Sequence, residues 1–151
     1  MSVYSFLDVQ AALSGPGGSV NLASGAGVMK EGITFEPADT LNNMVTGADG
    51  QVIHNLHATR AGRATVRLQK TSPTNSMLMA MQLLQRTSSL FHGQNILTLS
   101  NPVTGDNYTC QEVAFAKVPT NTWAEDASVL EWNFDIGRMD PLLGAGVISA
   151  L

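Results

Sequence analysis

A single cysteine, Cys110, leaves no partner for an intramolecular disulfide, so nothing in the chain requires an oxidising compartment. Charge is also scarce: charged residues make up 13% of the 151, against about a quarter in an ordinary globular protein. The surface must then be unusually neutral, and a neutral surface is poor at keeping molecules apart. Tyr4 and Tyr108 are the only tyrosines, which leaves no stacking platform for single-stranded nucleic acid, and the acidic pI argues against base-reading contacts. No apolar run approaches spanning length, and Met1 to Gln10 holds Asp8 but no basic segment. The expectation is a soluble chain, folded in a reducing cytosol, with no signal peptide and no direct membrane insertion.

Catalytic groupings are missing too. His54 and His57 lie three apart beside a probable strand, a spacing that sends them to opposite faces, and His92 stands alone before Gly93. Cys110 has no basic neighbour in sequence to lower its pKa, so a buried, inert thiol is expected. Glu131 and Asp135 are about 13 Å apart on an extended strand, too far for paired carboxylates in glycoside hydrolysis. The sequence therefore predicts no catalytic residue, no metal site and no cofactor.

What is present is one domain's worth of strand pattern. Leu130, Trp132, Phe134 and Ile136 alternate with Glu131, Asn133 and Asp135, the mark of a half-buried strand. Ala64, Val66 and Leu68 alternate with Thr65, Arg67 and Gln69, and a similar pattern runs from Leu7 to Leu13. Shorter strands are expected at 33–36, 43–46, 51–56 and 96–99. From Asn107 to Val118 the apolar phase changes near Gln111 to Val113, which predicts a bulge.

One helix is signalled, with Ser72 as its cap, Pro73 at the first helical position, and helix formers from Met77 to Leu84. Met77, Leu78, Met81 and Leu84 share a face, but Met79, Ala80 and Leu83 carry the apolar surface nearly all round, so burial on more than one side is expected. Gly15-Pro16-Gly17-Gly18 and Gly25-Ala26-Gly27 open no helix and read as turns rather than phosphate loops. The polar stretch 36–50 reads as an extended loop reaching another molecule or moving freely. The tail 141–151 is uncharged and apolar, and is expected to dock on its own barrel or on a neighbour.

The net charge of −4 is unevenly spread. Residues 50–105 hold Arg60, Arg63, Arg67, Lys70 and Arg86 and no acid, while the rest carries twelve acids against Lys30, Lys117 and Arg138. Either folding pairs these segments within the chain, or they meet head to tail between identical chains.

The opening stretch Tyr4 to Gly18, then Gly25 to Val28 with Glu31 to Thr34, resembles the tail tube proteins of contractile-tailed bacteriophages. Gly62-Arg63 entering a strand, Ser72-Pro73-Thr74-Asn75 opening the helix and Leu130-Glu131-Trp132 add to the likeness, which covers nearly the whole chain. The tubes of contractile bacteriocins and the haemolysin-coregulated protein of type VI secretion are close alternatives. A monomeric β-barrel binding module is the competing reading from another class.

The resemblance implies a mainly β single domain over 1–151. It would be an antiparallel β-barrel or sandwich of two sheets with one flanking α-helix. Hexameric rings would stack into a conduit for DNA, meeting a tail sheath, a baseplate or initiator, a tail terminator and an internal tape measure protein. The implied location is the virion, with assembly in the host cytoplasm. Asp8, Gln10, Glu131, Asn133 and Asp135 are then expected to line the lumen, because a positive wall would hold phosphates. Arg60, Arg63, Arg67 and Lys70, with Glu36, Asp39 and Asp49 of the loop and Leu142, Leu143, Val147 and Ile148 of the tail, are expected at contacts between subunits.

Overall fold

The computed structural model describes residues 3–23 and 28–146. A short 3-10 turn, Phe6–Asp8, leads into β1 (Gln10–Gly15) and β2 (Gly18–Asn21). Then come β3 (Val28–Pro37), β4 (Asn42–Thr46), β5 (Val52–Leu56), β6 (Gly62–Gln69), α1 (Thr74–Gln85), β7 (Asn95–Asn101), β8 (Asp106–Lys117) and β9 (Val129–Leu142). All pairings are antiparallel. Seven strands form one sheet in the order β2-β1-β7-β8-β9-β6-β3, and among the described residues β4 pairs only with β5.

The alternation seen in the sequence is the burial pattern of the main sheet. Ala64, Val66 and Leu68 of β6 are fully buried, and Leu130, Trp132, Phe134 and Ile136 of β9 lie beside them on the same inner face. Val9, Ala11 and Leu13, Val20 and Leu22, Leu97, Cys110 and Val113 complete one cluster, which α1 closes with Leu78 and Met81. Each large apolar side chain taken from water there contributes about 1.5–3 kcal/mol. Phe6, just before β1, lies within van der Waals reach of Gly32 on β3, so the two ends of the sheet curl towards each other. The expected two-sheet fold is therefore unequal: the curled seven-stranded sheet encloses the core with α1, and the β4–β5 ribbon contributes nothing to it.

The bulge at Gln111 to Val113 is present. Register between β7 and β8 shifts between Asn95↔Val113 and Leu97↔Cys110, and Glu112 has φ 55°, the one non-glycine positive φ among the described residues. The inward phase of β9 moves as well, from Ile136 to Met139. Gly137 stands across from Glu112, where a Cβ would meet the Glu112 carboxylate at 2.7 Å and its Cβ at 2.9 Å. A crease therefore crosses both strands at one level, and a bulge bends and twists a strand in this way.

Three expectations need correction. Leu7 does not begin a strand: it sits in the 3-10 turn, where its N–H donates to the Ser5 hydroxyl, and it is exposed. The helix starts at Thr74 with Pro73 at the cap position, and the Ser72 hydroxyl accepts from Thr74 N–H at 3.3 Å, one residue earlier than a cap reaching the second or third helical amide. The stretch 36–50 is not one loop: β3 runs through Pro37 and β4 spans Asn42–Thr46, so seven of its fifteen residues are strand and the connections are confined to 38–41 and 47–50. The described part of the tail docks on its own chain, one of the two expected places: Pro141 and Leu142 pair with Tyr108 and Asn107 of β8, and Gly144 N–H donates to the Asp106 carboxylate. Gly25 to Gly27, Val147 and Ile148 lie outside the described residues.

Candidate assembly surfaces

The outer face of β6 and β9 is a ladder of opposite charges. Register sets Arg63 opposite Asp135, Thr65 opposite Asn133 and Arg67 opposite Glu131. Arg63 Nε reaches Asp135 at 3.3 Å, Arg67 Nε reaches Glu131 at 3.8 Å, and Thr65 Oγ1 donates to Asn133 at 3.0 Å. Glu36 of β3 faces Arg63 from the other side, and Lys117 of β8 stands beside Asn133. Beyond the crease, Arg60 and Arg138 both meet Asp140, at 3.0 and 3.4 Å.

Much of the charge separated along the sequence is thus paired inside the chain. Glu131, Asn133 and Asp135 share their face with Arg63 and Arg67, two groups that the sequence had suggested for different surfaces. That face is close to neutral rather than acidic. Gln10 lies on the outer side of β1, and β7 and β8 separate it from β9, a distance of about 14 Å across the sheet. Asp8 belongs to the 3-10 turn. Lys70 is held at a loop instead: its Nζ donates to the Thr122 carbonyl at 2.6 Å and lies 3.9 Å from the centre of the exposed Trp123 ring.

The β4–β5 ribbon is exposed along its whole length. Met44, Val52 and Leu56 point to one side and Val45 and Ile53 to the other. An isolated two-stranded hairpin is marginal in water, so this one gains from a covering surface. Asp49 sits in its turn, where its carboxylate accepts from Gln51 N–H. Asp39 lies at its base, beside Arg60 and Asp140 in a recess of about 460 Å³ that also includes Leu41, Met139 and Pro141. Leu142 and Leu143 are exposed as well.

Helix α1 runs against the usual amphipathic order. Gln82 and Gln85 are buried with Leu78 and Met81, while Met77, Ala80, Leu83 and Leu84 face outward. Sequence reasoning anticipated burial on several sides but not this inversion. Met77, Leu83 and Leu84 are exposed among the described residues, Leu84 lying beside Gly17 of the β1–β2 turn, and Leu90 and Phe91 are exposed after the helix.

The histidines hold no joint site. His54 shares a 3.1 Å hydrogen bond with Asn42, and among the described residues no group of three or more His, Cys, Asp or Glu could hold a metal. Cys110 is buried, and burial with the Asp140 charge pushes its thiol up to about 11. No described helix is long and apolar enough to cross a membrane.

No curated protein sequence is similar enough to match. Solved structures share the fold at low identity. A chain of the sheath–tube complex of the PVC extracellular contractile injection system matches with TM-score 0.53 at 11% identity, covering 89% of this chain and 88% of that one. A chain of the tube-terminating cap of the anti-feeding prophage matches with TM-score 0.54 at 11% identity, covering 95% and 93%. A chain of that particle's baseplate matches with TM-score 0.52 at 10% identity, covering 96% and 97%. The sequence model of the family described as bacteriophage PhiTE tail tube protein matches residues 1–144. The chain therefore belongs to the bacteriophage PhiTE tail tube protein family, whose members are structural proteins rather than enzymes.

Proposed function

We propose that this tail tube subunit closes into hexameric rings that stack into a hollow conduit for DNA during ejection. The observation that carries this reading is the sheet with two open ends: β2 and β3 each pair on one side only among the described residues, within a chain that matches a tail tube family over residues 1–144. Joining edges between neighbours would satisfy backbone groups that otherwise invite uncontrolled pairing. The role is passive and needs no cofactor.

The outer face of β9, with Glu131, Asn133 and Asp135, is the proposed lumen wall, and Asp8 and Gln10 line it from the far end of the sheet. With Arg63 and Arg67 paired to the acids, Lys117 beside Asn133 is the one positive charge of such a wall without an ion pair among the described residues, so little of the wall would hold phosphates. Arg60, Lys70, Asp39 and Asp49, with Leu142, Leu143, Val147 and Ile148, remain proposed contacts between subunits. A sheath, a baseplate or initiator, a terminator and a tape measure protein are the proposed partners. The proposed location is the virion, after assembly in the host cytoplasm.

Electron microscopy of negatively stained protein across concentration, with light scattering for mass, tests the reading. Hexameric rings or hollow tubes are expected. A species that stays monomeric at high concentration, even on added preformed tube ends, would overturn it.

A further inference from the structure

We propose that the outward face of α1 is the seat of the β4–β5 hairpin of a second copy, with Asp49 at the hairpin tip pairing with Arg86 at the helix end. This deepens the tube reading and rests on it, because a second copy must be present. Four observations converge on this one occupant.

Both surfaces are exposed, carry no Asp, Glu, Lys or Arg, and present a row of apolar side chains, with Ser76 among those of the helix and Asn42, Thr46 and His54 among those of the hairpin. Met77, Ala80, Leu83 and Leu84 span an arc of about 120° on α1 at 100° per residue, and no charged residue lies between Thr74 and Gln85. Met44, Val52 and Leu56 form the larger apolar side of the hairpin, and neither β4 nor β5 contains a charge. Leu56 is 88% exposed, which in a lone hairpin has no compensation.

The lengths also agree. Five-residue strands reach about 17 Å, and the twelve-residue helix runs about 18 Å. Placing the hairpin tip at the C-terminal end of α1 sets Leu56 beside Met77, Met44 near Ala80 and Val52 beside Leu84.

The ends carry opposite charges. Asp49 is exposed in the turn and Arg86 is exposed at the helix end, and neither makes an ion pair among the described residues. Four other arginines, Arg60, Arg63, Arg67 and Arg138, all meet acids within the chain, which sets Arg86 apart. Asp49 and Arg86 form no ion pair with each other among the described residues, so the pairing proposed for them joins two copies.

The inverted orientation of α1 is actively held. Gln85 is tied to Asn95 and to the Pro16 carbonyl, which keeps the leucines outward instead of allowing the helix to roll them into the core.

Charge exchange and cysteine pairing test the proposal on the full chain. Asp49→Arg and Arg86→Asp should each raise the concentration for half-assembly by about tenfold, and the double variant should return it towards the starting value. Circular dichroism melting checks that each variant stays folded. Leu56→Cys with Met77→Cys, mildly oxidised in assembled material, should give a ladder of linked subunits on a non-reducing gel. If the unmodified chain assembles but the double variant does not recover and no ladder forms, the docking proposal is overturned and the tube reading stands. If the unmodified chain never assembles, both are overturned.

Discussion

Gln85 and Asn95 exchange two hydrogen bonds of 2.7 Å across the buried seam between the end of α1 and the start of β7. Gln85 Nε2 also donates to the Pro16 carbonyl at 2.9 Å, and Asn95 Nδ2 to the Val113 carbonyl at 3.1 Å. One polar knot thus joins α1, the β1–β2 turn, β7 and β8 next to the crease. A side chain at Gly15 would collide with the Asn95 amide oxygen, which explains the glycine there.

Asn95→Leu strands the Gln85 amide oxygen and takes a donor from the Val113 carbonyl inside the core, and unfolding in urea should show a loss of about 2–4 kcal/mol. Replacing both Gln85 and Asn95 by leucine should cost less than the two single losses added together, because no half of the pair is left buried alone. Strict additivity in the cycle would show that the pair does not act as a unit.

Glu112 is held at φ 55° over Gly137. Glu112→Gly should stabilise by about 1 kcal/mol, by relieving a conformation that costs a residue with a Cβ. Gly137→Ala should destabilise by about 1–3 kcal/mol in the parent, and by clearly less in the Glu112→Gly background, where the obstructing side chain is gone. Thermal melts of the four proteins settle the sign.

The ladder of charges should matter little for stability. Asp135→Asn and Glu131→Gln each remove an exposed partner and should change the unfolding free energy by less than about 1 kcal/mol. A loss above about 2 kcal/mol would mean that the ladder is structural rather than a way of neutralising the face.

Cys110, pushed up to about 11 from the ordinary 9.0 by burial first and by the Asp140 charge second, should resist thiol reagents at pH 8 until the chain is unfolded. The unfolded chain loses the proton from about pH 9, whereas the folded one keeps it. Stability from this group is therefore full below pH 9 and declines as the pH rises towards 11. A Cys110→Ser comparison isolates it: the parent should lose more stability over that range.

Much of the main sheet was legible because its rules are local. Alternation in β6 and β9 gave their inner faces, and the change of phase in β8 gave the bulge, since a strand with one dry face must put an extra residue somewhere to change sides. The neutral surface and divided charge pointed to assembly, but the register that pairs Arg63 with Asp135 depends on strands far apart in sequence. Two features were hidden for different reasons. The 3-10 turn at Leu7 imitates alternation, because an exposed leucine reads the same as a buried one in the sequence. Gln85 lies inward because Asn95 and the Pro16 carbonyl await it, whereas the amide oxygen of Gln82 is buried without a hydrogen-bond partner among the described residues, and helical periodicity alone turns such residues outward. The hairpin was half visible: both strands were expected, but their isolation from the core was not.

In polymer terms, a sheet whose first and last strands each keep one side free among the described residues is a bifunctional monomer. Growth by such units is sensitive to stoppers. A copy with one end blunted, for instance by proline at Ser19 in β2, could still add through β3 and then halt addition. A small fraction of that variant mixed with the parent should therefore poison rings out of proportion to its share, and the dose at which it does so reports how many copies must join before a ring is complete.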